Sequence, residues 1–242
     1  MRIALATDLD GTFLGGSDAD RAALYGWLAE RRRDVALVFV TGRGLSFISQ
    51  LCEERLGFWP DHVIANVGTT AVSGTGFAPI APVENWIDGR WSHDAPGRIA
   101  RLLADHDGLE PQPDVEGRRV SYFYREGDKA EAARRTVERH GFDGLISDNR
   151  FFDVLPQGVQ KGPTLLRTIE ALGWSPSRVL VAGDTLNDLS MFETGLRGVA
   201  VSNSEPRLAA AVRDMAHVHK AARPGAAGVL EALAQFWTER SE

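Results

Sequence analysis

One cysteine, Cys52, is all the thiol chemistry in these 242 residues. It excludes an intramolecular disulfide and fits a reducing compartment, so the cytoplasm is the expected location. Long apolar runs are missing too: none approaches the roughly 20 residues that a membrane span needs. The opening stretch, Met1 to Thr7, is too short an apolar segment for a secretory signal, and acidic residues follow at once. Basic residues are in deficit, 27 against 33 acidic, for a net charge of −6. That is a poor footprint for nucleic acid, and it sets a weakly repulsive field for any anion. An anionic substrate therefore needs local positive charge, from a metal, from Lys161 and Arg43, or from helix N-termini. Internal repeats, low-complexity tracts and long linkers are also lacking. The sequence by itself leaves the oligomeric state open.

What is present is ordinary in bulk, 43% hydrophobic and 25% charged, and enough to bury a core. The length allows one large domain or a core with an insert. Residues 3–7 and 35–40 read as buried strands with an amphipathic helix, about 18–32, between them, capped by Ser17 or Asp18. A helix at 44–56 leads to a strand at 62–65. This alternation predicts a parallel sheet with helices on its faces. From Gly68 to Gly76 the composition suggests a hairpin. Beyond it lies a separate α+β unit: a helix near 95–105, a turn at Glu110-Pro111-Gln112-Pro113, a strand at 119–124, a helix at 128–140 and short strands to Leu155. The first pattern resumes with a helix from Lys161 to Leu172, which places Leu165, Leu166, Ile169 and Leu172 on one stripe. A strand at 178–182, a helix at 187–195, a strand at 198–201 and helices at 205–214 and 225–238 complete it. The fold class expected is α/β, a Rossmann-like parallel-sheet core of residues 1–81 and 156–242 with an α+β cap, 82–155, inserted between.

Four polar signals each follow an apolar run: Asp8-Leu9-Asp10-Gly11-Thr12, Thr41-Gly42-Arg43, Lys161-Gly162 and Gly183-Asp184-Thr185-Leu186-Asn187-Asp188. In an open α/β sheet the loops after the strands share one crevice, so these can converge. Asp8 is a candidate nucleophile. Two carboxylates so close call for a cation, and magnesium is the hard ion that prefers oxygen ligands and bridges to phosphate. Asp10 suits general acid–base work, with Thr12 placed to fix it and Gly11 to let the backbone turn. The Thr41 hydroxyl and the Gly42 amide can bind a phosphate oxygen at a helix start; Arg43 either adds charge or pairs with a surface carboxylate. Lys161 opposes the dipole of the helix it opens, an awkward placement that pairing with Asp8 and a phosphate would explain; a solvated lysine is the plainer alternative. Asp184 and Asp188 lie one helical turn apart, one for the metal and the other for a water or Lys161; an N-cap at Asp184 is the alternative. The conjunction, in order and always past a strand, favours the functional readings.

These motifs resemble the four motifs of the haloacid dehalogenase-like phosphatase superfamily, and the position of the insert resembles its subgroup with a large α+β cap. Within that subgroup the chain is most similar to sucrose-phosphate phosphatases and related bacterial enzymes acting on glycosyl phosphates. Asn66-Val67-Gly68-Thr69, Val120-Ser121-Tyr122, Asp153 to Gly158 and Val201-Ser202-Asn203 carry that narrower resemblance. It implies Asp8 as nucleophile, Asp10 as acid/base, and Thr41 and Lys161 on the transferring phosphoryl group. Magnesium would be held by the Asp8 carboxylate, the Asp10 backbone carbonyl and Asp184, with Asp188 supporting.

The expected activity is a magnesium-dependent phosphatase for a sugar or glycosyl phosphate, without nucleic-acid or membrane partners. Its rivals are a phosphosugar mutase on the same core, a non-catalytic sensor and a receiver-type phospho-acceptor. The last is disfavoured because no aspartate ends the 35–40 strand. The substrate-binding set expected is Thr41, Gly42, Arg43, Asn66, Gly68, Ser121, Lys161 and Asn187. In the cap, Trp86, Trp91, Tyr122 and Tyr124 suit sugar faces, and Arg118, Arg119, Arg125 and Arg150 suit hydroxyls or a second anion; packing and solvation are their alternatives. Of Ser121 and Tyr122, one at most faces a substrate, since neighbours on a strand point to opposite sides. Trp237 is left between interface and helix packing.

Overall fold

The strands β1 (Ile3–Thr7) and β2 (Val35–Val40) are buried at every position, as strands covered on both faces must be. The computed structural model describes residues 2–113 and 115–239. Between the two strands α1 (Asp18–Glu30) starts at Ser17, which forms a capping box with Asp20; Ser17 is thus the cap rather than Asp18. Leu24 and Leu28 face the core, while Ala22 is exposed. The chain continues through α2 (Leu45–Leu51), which runs on helically to Leu56, then β3 (His62–Ala65), β4 (Thr70–Ser73) and β5 (Ala78–Pro79).

Next come α3 (Ala81–Asp88), α4 (Ala95–Leu102), β6 (Leu109–Pro111), β7 (Val120–Tyr124), α5 (Gly127–Arg139), β8 (Phe142–Ser147) and β9 (Phe151–Pro156). The remainder is α6 (Lys161–Ala171), β10 (Val179–Gly183), α7 (Leu189–Phe192), β11 (Arg197–Ala200), α8 (Pro206–Ala211), β12 (Val218–Lys220) and α9 (Gly225–Glu239). The large sheet runs β12-β11-β10-β1-β2-β3-β4-β5. It is parallel from β12 to β3 and finishes in the antiparallel pairs β3–β4 and β4–β5. This is the α/β class that the sequence implies. Two apolar layers cover its faces: Phe13, Leu24, Phe39 and Phe236 on one side, and Val38, Leu165, Val181 and Phe192 on the other. Cys52 is buried in the first layer.

Residues 109–156 carry a second, antiparallel sheet, β6-β7-β9-β8, with its own core of Ile99, Tyr122, Val137 and Phe152. The helix α3, which straddles the expected start of the insert at 82, buries Val83 and Ile87 in the layer under the large sheet. Trp86 belongs to that layer as well, with Arg90 and Arg167 over its ring. The prolines read as a turn include Pro111, the end of β6. Its place on an edge strand is where a missing N–H costs no ladder bond.

Two further details depart from the sequence reading, and a third decides between its alternatives. Leu166 is 39% exposed, because α6 turns only Leu165 and Ile169 of that stripe fully inward. The helix foreseen at 187–195 is one tight turn, Leu186–Asp188, followed by the short α7, and Thr185 caps it in a box with Asp188. Trp237 packs edge-to-face on Trp27 with the Arg2 guanidinium above it, so helix packing accounts for it. Among the described residues no helix is long and apolar enough to cross a membrane.

Candidate active site

β1 and β10 are neighbours in the sheet, and the pairing continues past the end of β1, where Asp8 N–H donates to the Ala182 carbonyl at 2.9 Å. The loops after both strands must therefore lie side by side. Gly11, with φ +81°, lets the first loop turn back beneath Asp184: a Cβ there would stand 2.2 Å from Asp184 Oδ2. Gly183 is equally required, since its Cβ would stand 2.5 Å from that of Asp188. Gly162 lets α6 pass against α7, where a Cβ would meet the Ser190 carbonyl at 1.9 Å. These contacts carry the first residue of α6, Lys161, into the same place.

Lys161 is fully buried there. Its Nζ donates to Asp8 Oδ1 at 2.6 Å, to Asp188 Oδ1 at 2.6 Å and to Asn187 Oδ1 at 2.7 Å. The solvated-lysine alternative thus fails. Burial works against its charge, but Asp188 and Asp8 outweigh that and raise its pKa above the ordinary value. Asp184 receives Thr12 Oγ1 at 2.7 Å, so Thr12 fixes Asp184 and not Asp10. Asp188 Oδ2 accepts the backbone N–H groups of Asp184 and Thr185 at 2.9 and 3.0 Å. Burial pushes the Asp8 carboxyl well above its usual range, Lys161 pulls it down in part, and Asp188 and Asp184 push it up again. Burial and Asp188 push Asp184 up to about 7, against the Thr12 hydrogen bond and Lys161. One carboxylate oxygen from each of Asp8, Asp184 and Asp188 lies within 4.8 Å of the others. One ammonium among three buried acids leaves negative charge uncompensated, which is what a divalent cation relieves.

Asp10 turns the other way. Its carboxylate is 53% exposed and takes Arg43 Nε at 2.8 Å and Nη2 at 3.2 Å. Arg43 thereby does pair with a carboxylate, but one inside the site. Thr41 is fully buried and its Oγ1 accepts the Arg43 N–H at 3.1 Å. The loop is braced from β3: Asn66 N–H donates to the Arg43 carbonyl and Val67 N–H to that of Thr41. Both donors have positive φ, 54° and 60°, a costly pair for non-glycine residues.

Above this floor opens a cleft of about 680 Å³. Asp8, Asp10, Gly42, Arg43, Asn66, Asp184 and Asn187 line its core side, so most of the expected residues share one cavity. Thr41 and Lys161 lie buried beneath it. Gly68 is a packing point instead: its carbonyl accepts Thr164 Oγ1 at 2.7 Å, and a Cβ would stand 2.4 Å from the Gln160 carbonyl carbon. Ser121 is 1% exposed and spends its hydroxyl on Asp153 Oδ1 at 2.5 Å. Of the cap residues considered, Arg119 and Arg150 line the cleft. Tyr122 and Tyr124 are insert core, with Trp91 packed on it. Arg118 bridges to Glu84 at 2.9 Å, Asp88 at 2.6 Å and the Thr69 carbonyl at 2.9 Å. Arg125 projects into solvent, 86% exposed. Among the lining residues to which the sequence reading gave no role in the site are Asp153 and Glu116. Asp153 had a signal, a lone acid inside Phe151-Phe152-Asp153-Val154-Leu155. Glu116 had none; it reaches from the loop after β6 to the start of α2, accepting Leu45 N–H at 3.0 Å and the Ser46 hydroxyl.

Comparison with known proteins agrees with this geometry. The family model for sucrose-6F-phosphate phosphohydrolase matches residues 1–237. The glucosylglycerol-phosphate synthase of Pseudomonas anguilliseptica is 40% identical over 96% of this chain and 30% of its own length. The probable sucrose-phosphatase 3a of Arabidopsis thaliana is 32% identical over 97% of this chain and 60% of its own. The mannosylfructose-phosphate phosphatase of Agrobacterium fabrum is 33% identical over 95% of this chain and 94% of its own. The chain thus spans about a third to under two thirds of the first two relatives and nearly all of the third. The structure of the Synechocystis sucrose-phosphatase, in complex with sucrose and phosphate, superposes with a TM-score of 0.88 at 25% identity, covering 97% of this chain and 98% of that one. The chain belongs to the sucrose-6F-phosphate phosphohydrolase family, within the haloacid dehalogenase-like hydrolases that its motifs resemble.

Proposed function

We propose that the protein hydrolyses the phosphate monoester of a sugar or glycosyl phosphate, with magnesium, through an aspartyl-phosphate on Asp8. The observation that carries this reading is the buried Lys161, bonded at once to Asp8, Asp188 and Asn187 on the floor of an open cleft. Family membership and the match to phosphatases of phosphorylated sugars support it. The donor set suits magnesium. Asp8 and Asp184 offer carboxylate oxygens, the Asp10 backbone carbonyl is the expected third ligand, and Asp188, both of whose oxygens have partners, holds Lys161 and the loop. When bound, the ion would supply positive charge that offsets the negative charge of the carboxylates and of the transferring phosphoryl group.

The remaining steps belong to the chain's own residues. An Asp8 carboxylate oxygen attacks phosphorus as the ester bond to the sugar oxygen breaks. Asp10, held at the cleft by Arg43, protonates that oxygen, and the sugar leaves as the free alcohol. The Asp10 carboxylate then takes a proton from water; the water oxygen attacks phosphorus, and the P–O bond to Asp8 breaks. In this reading Lys161, the Thr41 hydroxyl, the Gly42 amide and Asn187 bind the phosphoryl oxygens. The sheet carried by residues 109–156 serves as the cap, contacting the leaving group and excluding water from the intermediate.

The test is phosphate release from a panel of glycosyl and hexose phosphates, with magnesium, with EDTA, and with Asp10→Asn. Metal-dependent release that the substitution abolishes is the expected result. A phosphosugar isomer formed without free phosphate would overturn hydrolysis in favour of phosphoryl return to the sugar.

A further inference from the structure

A second groove, of about 600 Å³, is lined from both connections between the core and the cap. Trp86 and Arg90 stand where α3 ends and the chain leaves for the cap sheet. Gln157 and Gly158 lie on its return to α6, whose outer face supplies Leu166 and Arg167. The groove shares no lining residue with the cleft. Both guanidiniums stand over the Trp86 ring, Arg90 at 4.8 Å and Arg167 at 4.5 Å from its centroid. Stacking occupies the flat of a guanidinium and leaves its N–H edge for hydrogen bonds. Arg90 spends one N–H on the Trp86 carbonyl at 3.3 Å. Among the described residues neither arginine is paired with a carboxylate, and both are exposed. The indole Nε1–H of the same ring is buried without a hydrogen-bond partner, so the spot is incompletely satisfied as it stands. Two like charges thus share one ring with no counter-ion, in a chain whose net charge is −6.

We propose that this groove is a second anion site, which takes a phosphate group between Arg90 and Arg167. Two positive charges match a dianion better than they match a single carboxylate. Glu170 is the one acid among the described lining residues. It accepts hydrogen bonds only, so it suits a ligand that also brings a hydroxyl group. Free phosphate and the phosphate ester of a sugar share this chemistry. The place gives the ligand a consequence. Arg90 stands at the way into the cap, Gln157 at the way out, and Arg167 on the helix that begins with Lys161. A phosphate held there braces the cap against the core and slows its opening. The site does not depend on the phosphatase reading; the brace does.

The test is an NMR titration with inorganic phosphate at constant ionic strength, following the assigned Trp86 indole N–H resonance. It should move saturably, and Arg90→Gln and Arg167→Gln should each raise the midpoint about 5- to 10-fold. A methylene-phosphonate analogue of a hexose phosphate, which resists hydrolysis, separates the two sources. Binding tighter than that of phosphate, and weakened by Glu170→Gln, assigns the site to a sugar phosphate; binding no tighter assigns it to free phosphate. Three results overturn the site: a resonance that stays still, one that moves equally with sodium chloride, or a midpoint unchanged in either arginine variant. The last would mean a signal relayed from phosphate in the cleft, which needs neither arginine. For the brace, phosphate should lower kcat at saturating substrate by the factor its affinity differs between open and closed forms, about 5-fold. Both arginine variants should lose that effect while keeping kcat without phosphate within about twofold, as surface substitutions do. A wild-type kcat untouched by phosphate overturns the brace and leaves the site. A protein that binds phosphate at this resonance but hydrolyses no phosphate ester overturns the phosphatase reading and the brace together, and not the site.

Discussion

Arg43 grips the Asp10 carboxylate at 2.8 and 3.2 Å, while the other acid of the pair, Asp8, is held at 2.6 Å by Lys161 on the far side of the same turn. Two residues apart, the acids have opposite surroundings, one half-exposed beside a guanidinium and one buried against an ammonium. Acid–base work needs access to the leaving group and to water, and the half-exposed Asp10 carboxylate lines the cleft. Asp10→Asn is expected to lower kcat by about 10²- to 10⁴-fold. Arg43→Gln should cost less, and adding it to Asp10→Asn should cost almost nothing more, because its bonds to Asp10 would already be compromised. Single-turnover phosphate release from the three variants checks this; full additivity would separate the two roles.

Lys161 is the only positive charge that Asp8 and Asp188 touch among the described salt bridges. Removing it leaves buried like charges together, a change that costs about 3–5 kcal/mol when one partner of a buried pair is lost. Lys161→Met should therefore unfold at markedly lower urea, and millimolar magnesium should restore part of the difference. Stability insensitive to magnesium would argue against a cation beside those acids.

Two glycines should respond in opposite ways to the same methyl group. At Gly11 the Cβ would collide with Asp184, at a φ of +81° that disfavours side chains; Gly11→Ala should abolish turnover. At Gly26, inside α1, a Cβ would meet nothing within 4 Å, so Gly26→Ala should stabilise the fold by about 0.5–1 kcal/mol. Urea denaturation and an activity assay on both proteins decide it.

His62 opens β3 opposite Ser73 at the end of β4, with Nδ1 2.7 Å from Ser73 Oγ and its ring edge-to-face on Trp174. Burial lowers its pKa below the usual 6.5. Between the lowered value and 6.5 the unfolded chain binds more protons here than the folded one, so this group's stabilisation is present above pH 6.5 and is lost as pH falls. His62→Asn should flatten the decline in Tm below pH 6.5 relative to wild type. Parallel curves would rule out this site as a contributor.

The strand–helix alternation was legible because buried strands and amphipathic helices have different periods, and the four motif positions because each follows an apolar run. What was not legible depended on neighbours remote in sequence. Nothing in Thr12 itself says that its partner is Asp184 rather than Asp10, since β1 and β10 come together only in the sheet. Leu166 matched the apolar stripe of α6, but a helix face is wider than the surface this one covers. Pro111 read as a turn because proline is rare in strands, and an edge strand is the exception. Ser121 was a reasonable sugar contact until its cross-strand partner, Asp153, was found taking its hydroxyl.

The order β10-β1-β2 has a consequence for how the chain is made. Synthesis proceeds from the N-terminus, and domains fold as they emerge. β1 meets β2 early, but its other edge stays open until Val179–Gly183 has left the ribosome. The sheet of residues 109–156, contiguous in sequence, closes before that. During this interval the nascent protein displays an unpaired strand, apolar from Ile3 to Ala6, the kind of edge that recruits other chains. It also holds Asp8 without its lysine until Lys161 arrives. Any product truncated ahead of β10 is thus both inert and adhesive, and a chaperone acting on this protein should be needed most in that window.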